Sequence, residues 1–136
     1  MAQRGEQVVT VASPQTLIIK RGSTSTEKLN ISLKPGFHVN SDKPADEFLI
    51  PLKLTWAASP LQSRKVTYPA SEDVQVGSQS LRVFTGKFAI ATEFYAPPQA
   101  APGVAMMQGK LHYQACDSQS CKRPATADVR IPISIQ

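Results

Sequence analysis

The two cysteines of the chain, Cys116 and Cys121, are its most chemically informative residues. A disulfide usually joins Cα atoms about 4.4–6.8 Å apart, and a tight loop can bring residues at this spacing that close. The bridge would contribute only ~2 kcal/mol on the loop-entropy model, because it closes so few residues. A chain of 136 residues that is 41% hydrophobic can bury a core without it. A bridge kept for its chemistry is therefore one hypothesis, and an inert structural bridge is the other.

The residues around each cysteine predict different roles for the two thiols. Cys121 is followed by Lys122 and Arg123, and neighbouring cations favour the reactive thiolate. Cys116 ends a segment, residues 109–115, in which apolar and polar residues alternate as in a half-buried strand. We therefore predict that Cys121 is the interchanging thiol, that Lys122 and Arg123 stabilise its thiolate, and that Cys116 is the resolving partner.

The pattern of the whole chain predicts an all-β protein. Helical periodicity is lacking, and runs of β-branched residues recur between clusters of Pro, Gly and Ser. Seven or eight such runs are typical of an immunoglobulin-like antiparallel β-sandwich. We predict a single domain over residues 1–136, with residues 1–6 disordered or derived from an expression vector. The predicted strands are Val8–Ala12, Leu17–Lys20, Glu27–Leu33, Leu49–Trp56, Lys65–Tyr68, Leu81–Thr92, Ala105–Ala115 and Ala127–Ile135.

Alternation within these strands also predicts the core. The last strand places Val129, Ile131, Ile133 and Ile135 on one face. Pro132 lies on its polar face and suggests an edge position, since proline cannot donate to a sheet ladder. The cysteines are too near in sequence to join two sheets, so we expect them at the rim. The predicted core residues are Leu54, Trp56, Leu111, Tyr113, Val129 and Ile131.

Composition and charge narrow the classes of partner. The net charge is +5, but the Lys and Arg residues are scattered, and no basic stripe with interleaved aromatic residues suggests nucleic-acid binding. No apolar run reaches the ~18 residues of a membrane helix. The first seven residues lack the apolar segment of a signal peptide. If the protein works in an oxidising compartment, its export signal must have been removed.

Metal binding and hydrolysis are weakly supported. Met106, Met107 and His112 together with the cysteines could form a soft copper site, but adjacent methionines on a strand point to opposite faces, and Met107 fits the core better. A lone histidine such as His38 or His112 is more often a surface residue than a ligand or base, and no serine or carboxylate lies at triad spacing. We expect neither a metal nor a cofactor.

Three segments in order along the chain resemble one family, the N-terminal periplasmic domain of the thiol:disulfide interchange protein DsbD. The likeness spans roughly residues 27–135, nearly the whole chain. It rests on several motifs in sequence rather than on the cysteine spacing alone. The matching segments are Gly36–Ser41 with Pro44 and Phe48–Pro51, then Tyr68-Pro69 and Gly86, and finally Tyr113–Cys116 with Cys121–Pro124.

The resemblance implies an immunoglobulin-like fold and a cysteine pair that cycles between dithiol and disulfide. Cys116 and Cys121 match that pair by position. In this family the domain receives reducing equivalents from a thioredoxin-like domain, ultimately through a membrane domain, and passes them to periplasmic acceptors that include cytochrome c maturation proteins. The implied partners are thus thioredoxin-like domains and a membrane domain of the same parent protein. If the likeness holds, the chain is a component of a protein-disulfide reductase in the periplasm, either an excised domain or a stand-alone relative.

The family also places a cap loop over the redox pair. The matching residues here are Glu72, Asp73, Val74, Gln75, Val76 and Gly77. Well-known members carry an aromatic residue in this cap, whereas this chain offers Val74 and Val76. We therefore expect weaker shielding, or shielding supplied by Phe84 or Phe37. Apart from the resemblance, the segment is an ordinary acidic surface loop.

The main alternative function is a structural or adhesive immunoglobulin-like module with an inert bridge. The reduction potential separates the two hypotheses. Structural disulfides typically lie below about −300 mV, and exchanging ones lie higher.

Overall fold

The structure is a computed structural model that describes residues 8–136. The prediction that residues 1–6 are disordered or vector-derived lies outside this range. Within the described range the backbone forms strands and connecting turns without helix. The strands are β1 (Val9–Val11), β2 (Leu17–Ile19), β3 (Thr24–Leu33), β4 (His38–Asn40), β5 (Lys53–Trp56), β6 (Gln62–Thr67), β7 (Glu72–Val76), β8 (Gln79–Thr85), β9 (Lys87–Tyr95), β10 (Gly103–Tyr113), β11 (Ala115–Cys116) and β12 (Ala125–Ile135).

Two four-stranded sheets pack face to face. One has the order β1-β3-β9-β6 and the other β2-β12-β10-β5. Every pairing is antiparallel except that of β2 with β12, which is parallel. Alternate residues of both sheets point inward, which buries the aliphatic residues between them. These residues form two clusters: the main core, which includes Leu54, Leu111 and Val129, and a second cluster, which includes Met107 and Ile131. The predicted all-β, immunoglobulin-like sandwich is confirmed.

A third sheet, of order β11-β4-β8-β7, packs one of its faces against the main core. Its register places Ala115 opposite Val39, and Val39 opposite Phe84. Directly opposite residues share a face of a sheet, and these three are buried in the main core. The other face of this sheet therefore carries Cys116 and His38. The fold thus presents the cysteine pair on the side of the third sheet that faces away from the main core.

The predicted core residues are in the core. Leu54, Leu111, Val129 and Ile131 are at most 4% exposed. Trp56 and Tyr113 are half-buried and pack against the same clusters.

Trp56 joins the two large sheets. Its indole Nε1–H donates to Oγ1 of Thr92 at 3.1 Å, and its ring meets that of Phe94 edge to face, with centroids 5.0 Å apart. It lies opposite Gly109 in the β5–β10 register. A Cβ on Gly109 would come within 2.5 Å of the indole Cε3, so the tryptophan occupies space that only a glycine leaves.

The observed strands differ from the predicted ones in several places. The run Leu81–Thr92 is two strands, because Gly86 adopts a φ of +64° and turns the chain from the third sheet into the first. The last strand is not at an edge along its whole length, since β12 lies between β2 and β10. However, β2 pairs only with Ile133–Ile135. Pro132 therefore has a paired neighbour on one side alone, which is why a proline is tolerated there.

Residues 8–136 contain no helical segment that could span a lipid bilayer.

Candidate functional site

A disulfide joins Cys116 and Cys121 across a tight turn. The S–S distance is 2.02 Å and the Cα atoms are 3.9 Å apart. The two residues pair as an antiparallel bridge, flanked by the hydrogen bonds from Lys122 N to Ala115 O and from Asp117 N to Ser120 O. They are thus a non-hydrogen-bonded pair, the arrangement that brings opposite side chains closest. The bridge that the spacing allowed is present.

Asp117 holds the turn between the cysteines. Its Oδ1 accepts hydrogen bonds from the backbone N–H groups of Gln119 and Ser120, both at 2.8 Å. These N–H groups keep the pKa of the Asp117 carboxyl below its usual range, because they stabilise the charged form. The turn that carries the disulfide is therefore built from its own four residues.

The two sulfur-bearing residues differ in exposure. Cys116 is 7% exposed, because it is fixed in β11 between β4 and the turn. Cys121 lies on the exposed return of the turn. The Cys121 side of the bridge is therefore the more exposed one.

Lys122 and Arg123, predicted to stabilise the Cys121 thiolate, are both exposed next to it. The Lys122 Nζ lies 5.6 Å from the centre of the Phe37 ring. Its backbone is held on both sides, since the carbonyl also accepts the side-chain amide of Gln114 at 3.0 Å. The effect of Lys122 and Arg123 on the Cys121 thiolate remains a prediction.

A cavity of about 180 Å³ adjoins the disulfide. Its walls come from β4, the β7–β8 hairpin, the loop between β4 and β5, and the cysteine turn. The lining residues are His38, Asn40, Leu49, Val76, Gln79, Leu81, Gln114, Cys116, Asp117, Ser118, Gln119, Ser120 and Cys121.

The segment predicted as a cap loop is a strand, so the prediction of its conformation was wrong. Glu72–Val76 forms β7, which pairs with β8 through a two-residue turn that begins at Gly77, whose φ is +65°. Polar Asp73 and Gln75 alternate with half-buried Val74 and Val76, a strand pattern that its acidic character concealed.

This hairpin brings only part of the predicted cap to the disulfide. Val76 lines the cavity beside the cysteines, and Val74 lies further along β7, opposite Leu81. Glu72 lies near the other end of the hairpin, where its carboxylate accepts a hydrogen bond from the Thr85 hydroxyl at 2.6 Å. Asp73 and Gln75 are exposed. Whether the hairpin slows thiol chemistry remains a prediction.

The aromatic residues considered as alternative shields do not line this cavity. Phe84 is 2% exposed and belongs to the main core, and Phe37 packs against the same cluster. Neither lines the cavity. Leu49, from the loop between β4 and β5, does. That loop is anchored by the Asn40 side chain, whose Nδ2 donates to Ile50 O at 3.0 Å.

His38 is a site residue that the sequence did not identify. It lies directly opposite Cys116 in the β4–β11 register and lines the same cavity. Burial lowers the pKa of its imidazole, and the negative charge of Asp117 opposes that shift. Its position inside the family-like motif was the only available signal.

The residues considered as copper ligands do not come together at one site. His112 is exposed, and its Nδ1 lies 2.8 Å from the Thr126 hydroxyl. Met107 is buried in the second cluster, as predicted, and Met106 is 45% exposed on the opposite face. Over residues 8–136, no group of three or more His, Cys, Asp or Glu side chains is placed to hold a metal ion.

The fold and site define a class, namely a β-sandwich domain with one disulfide at a surface turn beside a small cavity. Residues 6–132 match the family described as thiol:disulfide interchange protein DsbD, N-terminal, so the chain belongs to this family. No curated sequence is significantly similar to it.

Solved structures with the same fold include two N-terminal domains. The N-terminal periplasmic domain of ScsB from Proteus mirabilis aligns with a TM-score of 0.62 at 12% identity, over 96% of this chain and 49% of that one. The chain thus spans about half the length of that structure. The DsbD N-terminal domain of Neisseria meningitidis, in its reduced form, aligns with a TM-score of 0.53 at 12% identity, over 82% of this chain and 79% of that one.

Proposed function

We propose that this domain relays reducing equivalents between a thioredoxin-like domain and acceptor proteins through reversible opening of the Cys116–Cys121 disulfide. The observation that carries the proposal is the disulfide itself, which lies at an exposed turn in a chain of the thiol:disulfide interchange family. A bridge that closes so short a loop would add little to the stability of the fold.

The chemistry follows from the unequal exposure of the two cysteines. A thiolate of the donor attacks the exposed Cys121 sulfur, a mixed disulfide forms, and Cys116 leaves as a thiolate. A second donor thiol then attacks the mixed disulfide and releases Cys121, so that two electrons reach the domain. Delivery to an acceptor disulfide runs through the same steps in reverse. Lys122 and Arg123 favour the Cys121 thiolate that begins the delivery.

The β7–β8 hairpin and Leu49 limit access to the reduced pair. Val76 and Leu49 contribute apolar side chains to the cavity beside the cysteines. Exchange rates depend on access as well as on thiolate fraction. A partner that displaces these side chains would reach the sulfurs faster than a small oxidant.

The compartment proposed for this relay is the periplasm. The two solved relatives are N-terminal domains of DsbD and ScsB, and the ScsB one is described as periplasmic. An oxidising compartment is also where disulfides persist. The acceptors that fit are periplasmic thioredoxin-like proteins, including those of cytochrome c maturation, and the donor is a thioredoxin-like domain supplied through a membrane domain of the parent protein.

The proposal is tested by electron transfer in a purified system. The oxidised chain is mixed with a reduced thioredoxin-like domain, and its free thiols are counted after acid quenching and alkylation. We expect two thiols to appear per chain, with a matching loss from the donor. The Cys116→Ala/Cys121→Ala double variant is the control and should leave the donor reduced. A wild-type chain that gains no thiols would favour the inert structural module.

A further inference from the structure

Three side chains form one lateral row on the outer face of the third sheet. Thr85 lies opposite His38, and His38 lies opposite Cys116. Side chains directly opposite each other in an antiparallel pair have Cβ atoms about 4.5–5.5 Å apart. The row continues to Cys121 through the disulfide. The imidazole is therefore the neighbour of Cys116 on the side away from Cys121.

The charged groups around His38 are few. Asp117, at the start of the cysteine turn, acts on it electrostatically and raises the pKa of the imidazole, against the larger effect of burial. Lys122 acts on Asp117 in turn. On β8, Thr85 donates its hydroxyl to Glu72, which places that carboxylate at the far side of the row. From the loop between β4 and β5, the cavity receives apolar Leu49.

We propose that His38 exchanges a proton with the sulfur of Cys116 during thiol-disulfide interchange. The step rests on the function proposed above. When a donor thiolate attacks Cys121, the S–S bond breaks, and the electron pair goes to Cys116, which the protonated imidazole then converts to the thiol. In the reverse direction the neutral imidazole takes the proton from the Cys116 thiol, and the resulting thiolate attacks the mixed disulfide at Cys121.

Cys116 needs such a neighbour more than Cys121 does. Burial disfavours a thiolate, and Cys116 is 7% exposed. A thiol leaves faster when its pKa is lower, yet the cations Lys122 and Arg123 follow the other cysteine. His38 lies directly opposite Cys116 and lines the same cavity. It can therefore supply the proton to Cys116, where access of solvent is restricted.

The test compares His38→Gln with wild type and with His112→Gln, whose imidazole lies on the exposed face beside Thr126. Oxidised protein is reduced by excess dithiothreitol between about pH 5.5 and 9, and the rate is followed by quenching and alkylation. The rise of the reagent's own thiolate with pH is common to all variants and cancels in the ratio of rates. We expect wild type to exceed His38→Gln by about 100-fold near pH 6, the lower end of general acid catalysis. The ratio should approach one above the pKa of the imidazole, and His112→Gln should match wild type throughout.

A second measurement follows Cys116 alone. In the reduced Cys121→Ala variant, the absorbance of the thiolate near 240 nm reports the ionisation of the remaining thiol. Adding His38→Gln should raise the pKa of the Cys116 thiol, because an imidazolium partner for the thiolate is lost. This result does not depend on any partner protein or on the rate of exchange.

The outcomes separate this proposal from the function on which it rests. A wild-type disulfide that dithiothreitol reduces readily, with a His38→Gln ratio near one at every pH and an unchanged Cys116 pKa, overturns the role of His38 and leaves the interchange function standing. A wild-type disulfide that resists dithiothreitol across the whole range overturns both.

Discussion

Cys116 and Cys121 are the two ends of one S–S bond, yet Cys116 is 7% exposed and Cys121 lies on the open side of the turn. The sequence predicts that Cys121 is the interchanging thiol and that Cys116 resolves the intermediate. The assignment itself leads to the first prediction.

A Cys116→Ala variant should trap a stable mixed disulfide between Cys121 and a thioredoxin-like partner, because the resolving thiol is missing. The matched Cys121→Ala variant should trap little, since its remaining thiol is buried. Non-reducing gel electrophoresis after mixing with the oxidised partner measures both. If Cys121→Ala is instead the variant that traps partner, the two roles are reversed.

The hairpin beside the cavity leads to the second prediction. Val76→Gly should speed alkylation of the reduced protein by iodoacetamide severalfold, because it removes an apolar side chain that lines the cavity. Val74→Gly is the control, since it makes the same substitution in the same strand at a position that does not line the cavity. Equal rates for wild type and Val76→Gly would contradict the shielding role of the hairpin.

Gly109 and Trp56 lead to a prediction about stability. A Cβ on residue 109 would lie 2.5 Å from the indole Cε3 and 2.8 Å from the carbonyl oxygen of Thr55. Gly109→Ala should therefore lower the free energy of unfolding by roughly 1–3 kcal/mol, the usual cost of overpacking. Urea unfolding of the oxidised protein measures this free energy. Gln108→Ala, at the neighbouring exposed position, should stay within about 0.5 kcal/mol of wild type, and an equally stable Gly109→Ala variant would show that the indole moves aside.

His38 should make the stability of the oxidised protein depend on pH. Burial lowers the pKa of its imidazole below the ordinary value of 6.5, so the unfolded chain binds more protons in the range just below that value. Stability therefore falls as the pH drops through this range. His38→Gln should reduce the difference between the urea midpoints at about pH 7.5 and pH 5.5. An identical difference in wild type and variant would mean that the imidazole titrates alike in the folded and unfolded chain.

Much of the sandwich could be predicted because its strands alternate strictly. Val129 and Ile131 in the last strand, and Leu111 in the strand before the cysteines, face the core as their spacing indicated. The errors fall where the local pattern is ambiguous. Gly86 interrupts the run Leu81–Thr92 without other turn residues, so the sequence does not reveal the boundary between its two strands. The strand β7 is short, acidic and at the edge of its sheet, so its composition resembles that of a loop.

The site was only partly predictable for a different reason. The spacing of Cys116 and Cys121 allowed a bridge, and the structure contains it. The pairing of His38 with Cys116 depends on how distant segments meet in the third sheet, and the register of those strands is set by packing rather than by any local signal. The contribution of Leu49 to the cavity likewise depends on the path of a loop.

The reduction potential of the Cys116–Cys121 disulfide tests the central claim most directly. The wild-type chain is equilibrated at pH 7 with a series of glutathione or dithiothreitol redox buffers, and the fraction of dithiol is read after alkylation. We expect a potential between about −120 and −270 mV, the range of exchanging disulfides. A value below about −300 mV would place this bridge among inert structural disulfides and would contradict the proposed relay.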